Sequence, residues 1–407
     1  MHAKLQYFFM IKITRVSVRP FSIPLGPKPL VVVSGSTVRT FERRIGAYLV
    51  LEARQYESTE MCIDAGTAPF VGVGEIVEPV FVVSGAESTP STVLTDALVV
   101  LAELSVLLNN RTLDLSLEHF TASIDSIFSN EVCTPSQARR LARFAVEQAI
   151  LRLTTEITNS RLPEILGLWM NWPVNRSVES VCINGFLSLR DLTSPMSSSV
   201  AKTMSCVKIK VGPVEDAFLI NSLVTDFPKS YRVDPNGTWS IPEVSRFISF
   251  LNPIARSCLE YLEEPVCSLS LVELKSNVHQ LDTICPIGLD ESLLIEGVET
   301  IIQENDKLHM VYKPFVLGIN RKLFFSAERM IFTCSFESGV GTAFLLALAA
   351  ARDARFAPRH HGIHTWPSMS DPLTMKLNQI YIEEKVSLAN LSEYEKALRY
   401  EVEKYIN

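Results

Sequence analysis

The sequence predicts an α/β protein in two parts, a small antiparallel sheet with helices followed by a closed barrel of parallel strand-helix units. Three observations predict it. Extended segments punctuated by Gly and Pro fill residues 11–85. From residue 177 onward, short apolar strands recur at spacings that leave room for one helix each. Five successive strands of this second part each end on an ionisable residue, as the C-terminal face of a barrel would.

The first part opens with IKITRVSVRPFSIPL, IGAYLVLEA and FVGVGEIVEPVF, all extended in pattern. A helix follows in TPSQARRLARFAVEQAILRL. Thr134 as N-cap and Gln137 three residues on form a capping box, Pro135 takes the first helical position, and Leu141, Phe144, Ala145 and Ala149 share one apolar face. The second part then repeats SVCINGF, CVKIKVG, YRVDPNG, CLEYLEEP, PIGLDES, HMVYKPF and MIFTCSFES. Seven or eight such units favour a closed barrel. An open doubly wound sheet is the alternative, weakened because no glycine fingerprint follows its first strand. In VKIKVG, strand alternation puts Lys208 and Lys210 on one face and Val207, Ile209 and Val211 on the other. That face belongs either to a solvated edge strand or to a site holding two ammonium groups.

Composition bounds the function. The chain has 407 residues, 47% hydrophobic and 20% charged, enough for about two domains of a soluble globular protein. A net charge of -7 leaves no electrostatic footprint for nucleic acid. Asp96 and Glu103 interrupt the longest apolar stretch and AFLLALAAA is short, so no membrane span is expected. The N-terminus lacks a signal-peptide core with a cleavage site, which reads as cytoplasmic and leaves an organelle address open. Eight cysteines with no CxxC, several of them in apolar runs, read as reduced thiols. His360, His361 and His364 cluster in RHHGIHTW, but Gly362 argues against one helical face, so a loop near a strand end is expected there instead of a zinc site.

The strand-end residues are Lys210, Asp234, Glu263, Asp290 and Lys313. Three converging carboxylates repel one another unless a cation sits among them. An oxygen-only donor set suits magnesium, with manganese as a substitute. Lysines beside such a metal suit proton abstraction next to a carboxylate, for which the metal stabilises the developing negative charge. Lys210 is then the candidate base, and Lys208 on the same face would grip the carboxylate of a small-molecule substrate and tune that base.

These residues carry a resemblance. KxK at 208–210, DPN at 234–236, EEP at 263–265, DES at 290–292 and YKP at 312–314 closely resemble the enolase superfamily, in its muconate-lactonising-enzyme branch. FSIPL, the GVGE at residues 72–75 and RFAVEQAIL look like that family's capping domain, and CSFESGVG looks like its seventh strand. The resemblance implies an enolase-like fold, with an α+β capping domain of residues 1–160 completed by the tail 372–407, over a modified (β/α)8 TIM-type barrel at 177–371. It implies Asp234, Glu263 and Asp290 as magnesium ligands, Glu263 being the first acid of E-x-P. Lys210 matches the general acid/base, Lys313 the lysine on the substrate's opposite face, and Asn236 a supporting residue. Ser335, Glu337 and Ser338 lie where the family binds the substrate's remote end. His364 departs from the acid expected there, and ARQYESTEMCIDAGTAP looks like an insertion before the GVGE. The shared partial reaction is removal of a proton alpha to a carboxylate. FSIPL, VDPNGTW, SFESGVG and HGIHT favour a dehydratase, beside racemisation of N-acylamino acids or dipeptide epimerisation. A non-catalytic barrel scaffold and a Schiff-base aldolase using Lys313 are the readings from other classes.

Overall fold

The computed structural model describes residues 10–25, 30–34, 37–56, 68–80, 89–116, 119–128, 136–172, 174–189, 203–226, 230–363, 369, 371–379, 381–382 and 384–406. Thr134, Pro135, His364 and most of the expected insertion lie outside them.

The first part is a four-stranded antiparallel sheet in the order Phe70–Val77, Arg43–Tyr56, Met10–Pro24, Thr112–Asp114. Helix Gln137–Thr158 packs on it with Leu141, Phe144, Ala145 and Ala149 all buried. Its start corrects the expected capping box. Ser136 is the N-cap, its Oγ accepting from the Arg139 amide at 3.3 Å. Gln137 becomes the first helical residue and donates to the Val316 carbonyl instead of capping. Among the described residues one helix, Pro90–Leu108, is long and apolar enough to cross a membrane. Val93, Leu94, Ala97, Leu101, Leu104 and Leu108 bury one face of it in the protein core.

The second part is a ring of parallel strands. Seven form one sheet in the order Met330–Phe332, His309–Tyr312, Ile287–Leu289, Leu259–Glu263, Ser230–Asp234, Cys206–Lys210, Gly185–Ser188. His360–His361 closes it, pairing in parallel with Ser180–Ile183, the segment just before Gly185–Ser188, while Gly362 bridges Thr333 on the other side. His360 and His361 thus form the last strand, where a loop was expected, because closure gives backbone donors and acceptors there partners on both sides. Strand Cys206–Lys210 is paired on both sides as well, which disposes of the solvated-edge reading of its lysines. Helices such as Ala217–Asp226, Ile241–Phe250, Leu271–Leu281 and Gly339–Arg355 follow their strands. Right-handed strand-helix crossovers then return each chain segment to the same end of the ring.

Candidate active site

Parallel register sets which charged groups meet. Lys210 aligns with Asp234 and Lys208 with Arg232 on the neighbouring strand, so the lysines reach across at the C-terminal end. Lys208 Nζ lies 2.8 Å from Asp234 Oδ2 and 2.5 Å from Glu263 Oε1, linking two of the three acids. Lys313 Nζ donates to Asp290 Oδ2. Lys210 Nζ donates to Asn236 Oδ1 at 2.8 Å and stands 3.9 Å from Asp234 Oδ2. Asn236 turns back over the strand end at positive φ, its amide donating to Asp234 Oδ1.

Asp234, Glu263 and Asp290 are all buried. Burial opposes ionisation of Asp234, but Lys208 and Lys210 outweigh it and hold the carboxyl at about 2. Burial, reinforced by the Asp234 and Asp290 charges, pushes Glu263 up to about 7 even though Lys208 pulls it down. Burial and Glu291 raise Asp290 to about 6. Lys208 behaves in the opposite sense. Burial would lower it, yet Asp234 and Glu263 prevail and keep its ammonium well above the ordinary value. The two lysines on one strand face therefore differ. Lys208 is locked between carboxylates, whereas Lys210 is about a third exposed and holds an amide oxygen.

The second acid of EEP has a separate position. Glu264, at positive φ, accepts from the amides of Asp290 and Ser292 and from the Ser292 hydroxyl. It braces the Asp290 turn and does not join the Lys208 cluster. Sequence reasoning missed this role, although the paired acids and the Ser of DES were visible.

Ser335, Glu337 and Ser338 lie together after strand Met330–Phe332. Glu337 accepts from the Ser335 amide, while its Oε1 and the Ser335 hydroxyl are buried without a hydrogen-bond partner among the described residues. Burial lifts Glu337 to about 8. Ser338 points elsewhere, donating its amide and hydroxyl to Glu75 of the antiparallel sheet at 2.8 and 2.6 Å. Arg44, also from that sheet, donates to the carbonyls of Ser335, Phe336 and Glu78. Neither Arg44 nor Glu75 carried a strand-end signal, so the sequence pattern left both unassigned.

The three buried carboxylates could hold a divalent cation. Their donor set is all oxygen, they come from three adjacent strands, and cationic side chains already lie against them.

No family model matches the chain. Among curated proteins it is similar to o-succinylbenzoate synthases, with 28% identity over 158 residues to that of Vibrio cholerae serotype O1, covering 35% of this chain and 46% of the relative. The Yersinia pseudotuberculosis protein of the same name is 31% identical over 154 residues, covering 35% and 46%. The chain thus spans about half the length of the curated relatives it matches. Among solved structures, a dipeptide epimerase from Enterococcus faecalis complexed with Mg and L-Leu-L-Tyr has a TM-score of 0.64 at 17% identity, covering 94% of this chain and 99% of that one. A muconate lactonizing enzyme from Pseudomonas fluorescens complexed with muconolactone scores 0.61 at 14% identity, covering 88% and 89%. In fold, the chain is similar to solved structures of the mandelate racemase/muconate lactonizing type, which cover 88–94% of it.

Proposed function

We propose that the protein is a metal-dependent enzyme that removes a proton alpha to a carboxylate, and that its reaction is that of o-succinylbenzoate synthase. That reaction dehydrates 2-succinyl-6-hydroxy-2,4-cyclohexadiene-1-carboxylate to 2-succinylbenzoate, a step in menaquinone or phylloquinone biosynthesis. The observation that carries the reading is the arrangement of Asp234, Glu263 and Asp290 on three adjacent strands. Lys210 stands on the strand before them and Lys313 at the end of the strand after them. The partial similarity to o-succinylbenzoate synthases supports the choice of dehydration.

In this reading Asp234, Glu263 and Asp290 hold Mg2+, with Mn2+ as a substitute. The ion would supply positive charge to the substrate carboxylate, making the adjacent carbon acidic enough to lose a proton. Lys208 keeps Asp234 and Glu263 in place through its two short contacts. Lys210 has only one carboxylate nearby, at 3.9 Å, and an amide oxygen that orients its Nζ. It takes the proton from the alpha carbon and returns it to the departing hydroxyl, so carbon-oxygen cleavage releases water and the new double bond completes the aromatic ring. Lys313 presents a cation from the other side, and Ser335 and Glu337 contact the remote end. Racemisation of N-acylamino acids or dipeptide epimerisation is the second reading, favoured by the fold-wide similarity to the dipeptide epimerase.

The test measures 2-succinylbenzoate formation beside racemisation of N-succinyl amino acids, with and without chelator. Dehydration should disappear in excess chelator and return with magnesium or manganese. Asp290→Asn should lower turnover at least about tenfold with the fold retained. Full turnover in excess chelator, or racemisation without dehydration, would overturn the respective part of the reading.

A further inference from the structure

The opposite end of the barrel holds a second group of ligand-type side chains. Cys206 and His360 are the first residues of their strands, and Glu260 is the second residue of its own. Thiol, carboxylate and imidazole donor atoms from these three residues all lie within 4.8 Å of one another. The catalytic candidates sit at the C-terminal ends of the same strands, with Lys208 and Lys210 following Cys206 and with Glu263 following Glu260.

A register shift delivers Glu260 to this cluster. Between strands Ser230–Asp234 and Leu259–Glu263, Tyr231 pairs with Leu259 but Arg232 pairs with Tyr261, so Glu260 is the extra residue of a bulge. Such an insertion re-aims a side chain that regular alternation would send the other way. Arg232, fully buried, then fixes the carboxylate. Its Nε donates to Glu260 Oε2 at 2.8 Å and its Nη1 to Asn184 Oδ1 at 3.1 Å, while Cys206 and Ser230 also hydrogen-bond the Glu260 side chain. A ligating carboxylate is commonly oriented by a hydrogen bond of this kind. Arg232 Nη2 is buried with no hydrogen-bond partner among the described residues, an open donor suited to a solvent-derived fourth ligand.

We propose that Cys206, Glu260 and His360 form a zinc-class metal site at the N-terminal end of the barrel, separate from the oxygen-only site at the other end. A mixed sulfur, nitrogen and oxygen set selects zinc or cobalt over magnesium, and three protein ligands leave one position open. The metal would clip the closing strand, His360–His361, to the second and fourth strands of the ring across the lumen. This is the end of a barrel where side chains serve stability. The inference stands independently of the proposed reaction.

The experiment uses the full chain, stripped of metal under reducing conditions and titrated with Co2+. Only a thiolate ligand gives the near-ultraviolet sulfur-to-cobalt charge-transfer band, so cobalt held by Asp234, Glu263 and Asp290 does not contribute to it. The wild-type protein should develop the band to saturation at about one equivalent, and Zn2+ should displace it. Cys206→Ser should abolish the band. Glu260→Gln, which keeps an oxygen for Arg232, should weaken cobalt binding about tenfold or more. Absence of the band in wild type, or its persistence in Cys206→Ser, would overturn the site. If Cys206→Ser fails to fold, the wild-type titration and Glu260→Gln decide, unchanged affinity in the latter counting against it.

Discussion

Lys208 and Lys210 are two positions apart on one strand, yet their partners make them chemically different. Lys208 meets two carboxylates at 2.8 and 2.5 Å, while Lys210 meets an amide oxygen and only one distant acid. In the proposed reaction Lys208 braces the two carboxylates and Lys210, which holds an amide oxygen, transfers the proton. The assignment makes a prediction about faces of the substrate. Lys210→Ala and Lys313→Ala, incubated separately with an N-succinyl amino acid in deuterated solvent, should each exchange the alpha hydrogen of only one enantiomer, and the two variants should select opposite ones. Each variant should lose exchange at its own face by about a hundredfold or more, the usual contribution of general acid/base catalysis. Dehydration should vanish with Lys210→Ala. Its survival there, with dependence on Lys313 alone, would place the base on the wrong strand.

At the scale of elements, the GVGE stretch shows why a motif can be read from sequence before its physics is visible. In strand Phe70–Val77, a Cβ on Gly72 would come within 2.0 Å of the Ala149 carbonyl oxygen, and one on Gly74 within 1.9 Å of that of Ala145. The strand lies directly on the backbone of helix Gln137–Thr158, a separation that only hydrogen side chains permit. Gly74→Ala should therefore cost at least about 2 kcal/mol, read as a lowered urea midpoint, while Gly212→Ala, whose nearest neighbour would be 3.9 Å away, should stay near neutral. Equal midpoints for the two variants would refute the close-packing account. Legibility followed the same division between local and distant order. Lys210, Asp234, Glu263, Asp290 and Lys313 could be grouped from sequence because strand alternation and strand-helix rhythm are local patterns. Arg44 and Glu75 could not, since the groups they hold on the other part of the molecule lie 291 or more and 263 or more residues away. Glu260 was hidden for another reason, because a bulge breaks the alternation on which the reading depends. The helix start moved from Thr134 to Ser136 because burial of Gln137 against the barrel competes with local capping.

Across the whole molecule, the antiparallel sheet and the barrel are joined by buried charge. Arg152 donates to the carbonyls of Val73 and Val340 and pairs with Glu395, tying the sheet, a barrel helix and the C-terminal helix together. Glu75 accepts from Ser338 and from the Gly341 amide at the start of helix Gly339–Arg355, yet burial raises its carboxyl from 4.5 to about 7. An acid whose pKa rises on folding contributes most stability below its unfolded value, and that contribution falls as pH climbs through the folded one. The stability difference between the parent and Glu75→Gln should accordingly shift against the parent by a few kcal/mol between about pH 4.5 and 7. A pH-independent difference in urea unfolding would show that Glu75 does not titrate on folding. Arg44 makes the functional link across the same junction, because its guanidinium is fully buried and holds the carbonyls of Ser335 and Phe336, the latter at positive φ. If Ser335 and Glu337 contact the remote end of the substrate, loosening this hold should disturb binding more than proton removal. Arg44→Lys keeps a charge but cannot span three carbonyls, so KM should rise about tenfold while alpha-hydrogen exchange at saturating substrate changes only a few-fold. Magnesium affinity should stay unchanged, because Arg44 touches none of the three carboxylates. A variant whose exchange rate collapses with KM intact would mean that the antiparallel sheet governs the chemistry itself, and the division of labour between the two parts would have to be redrawn.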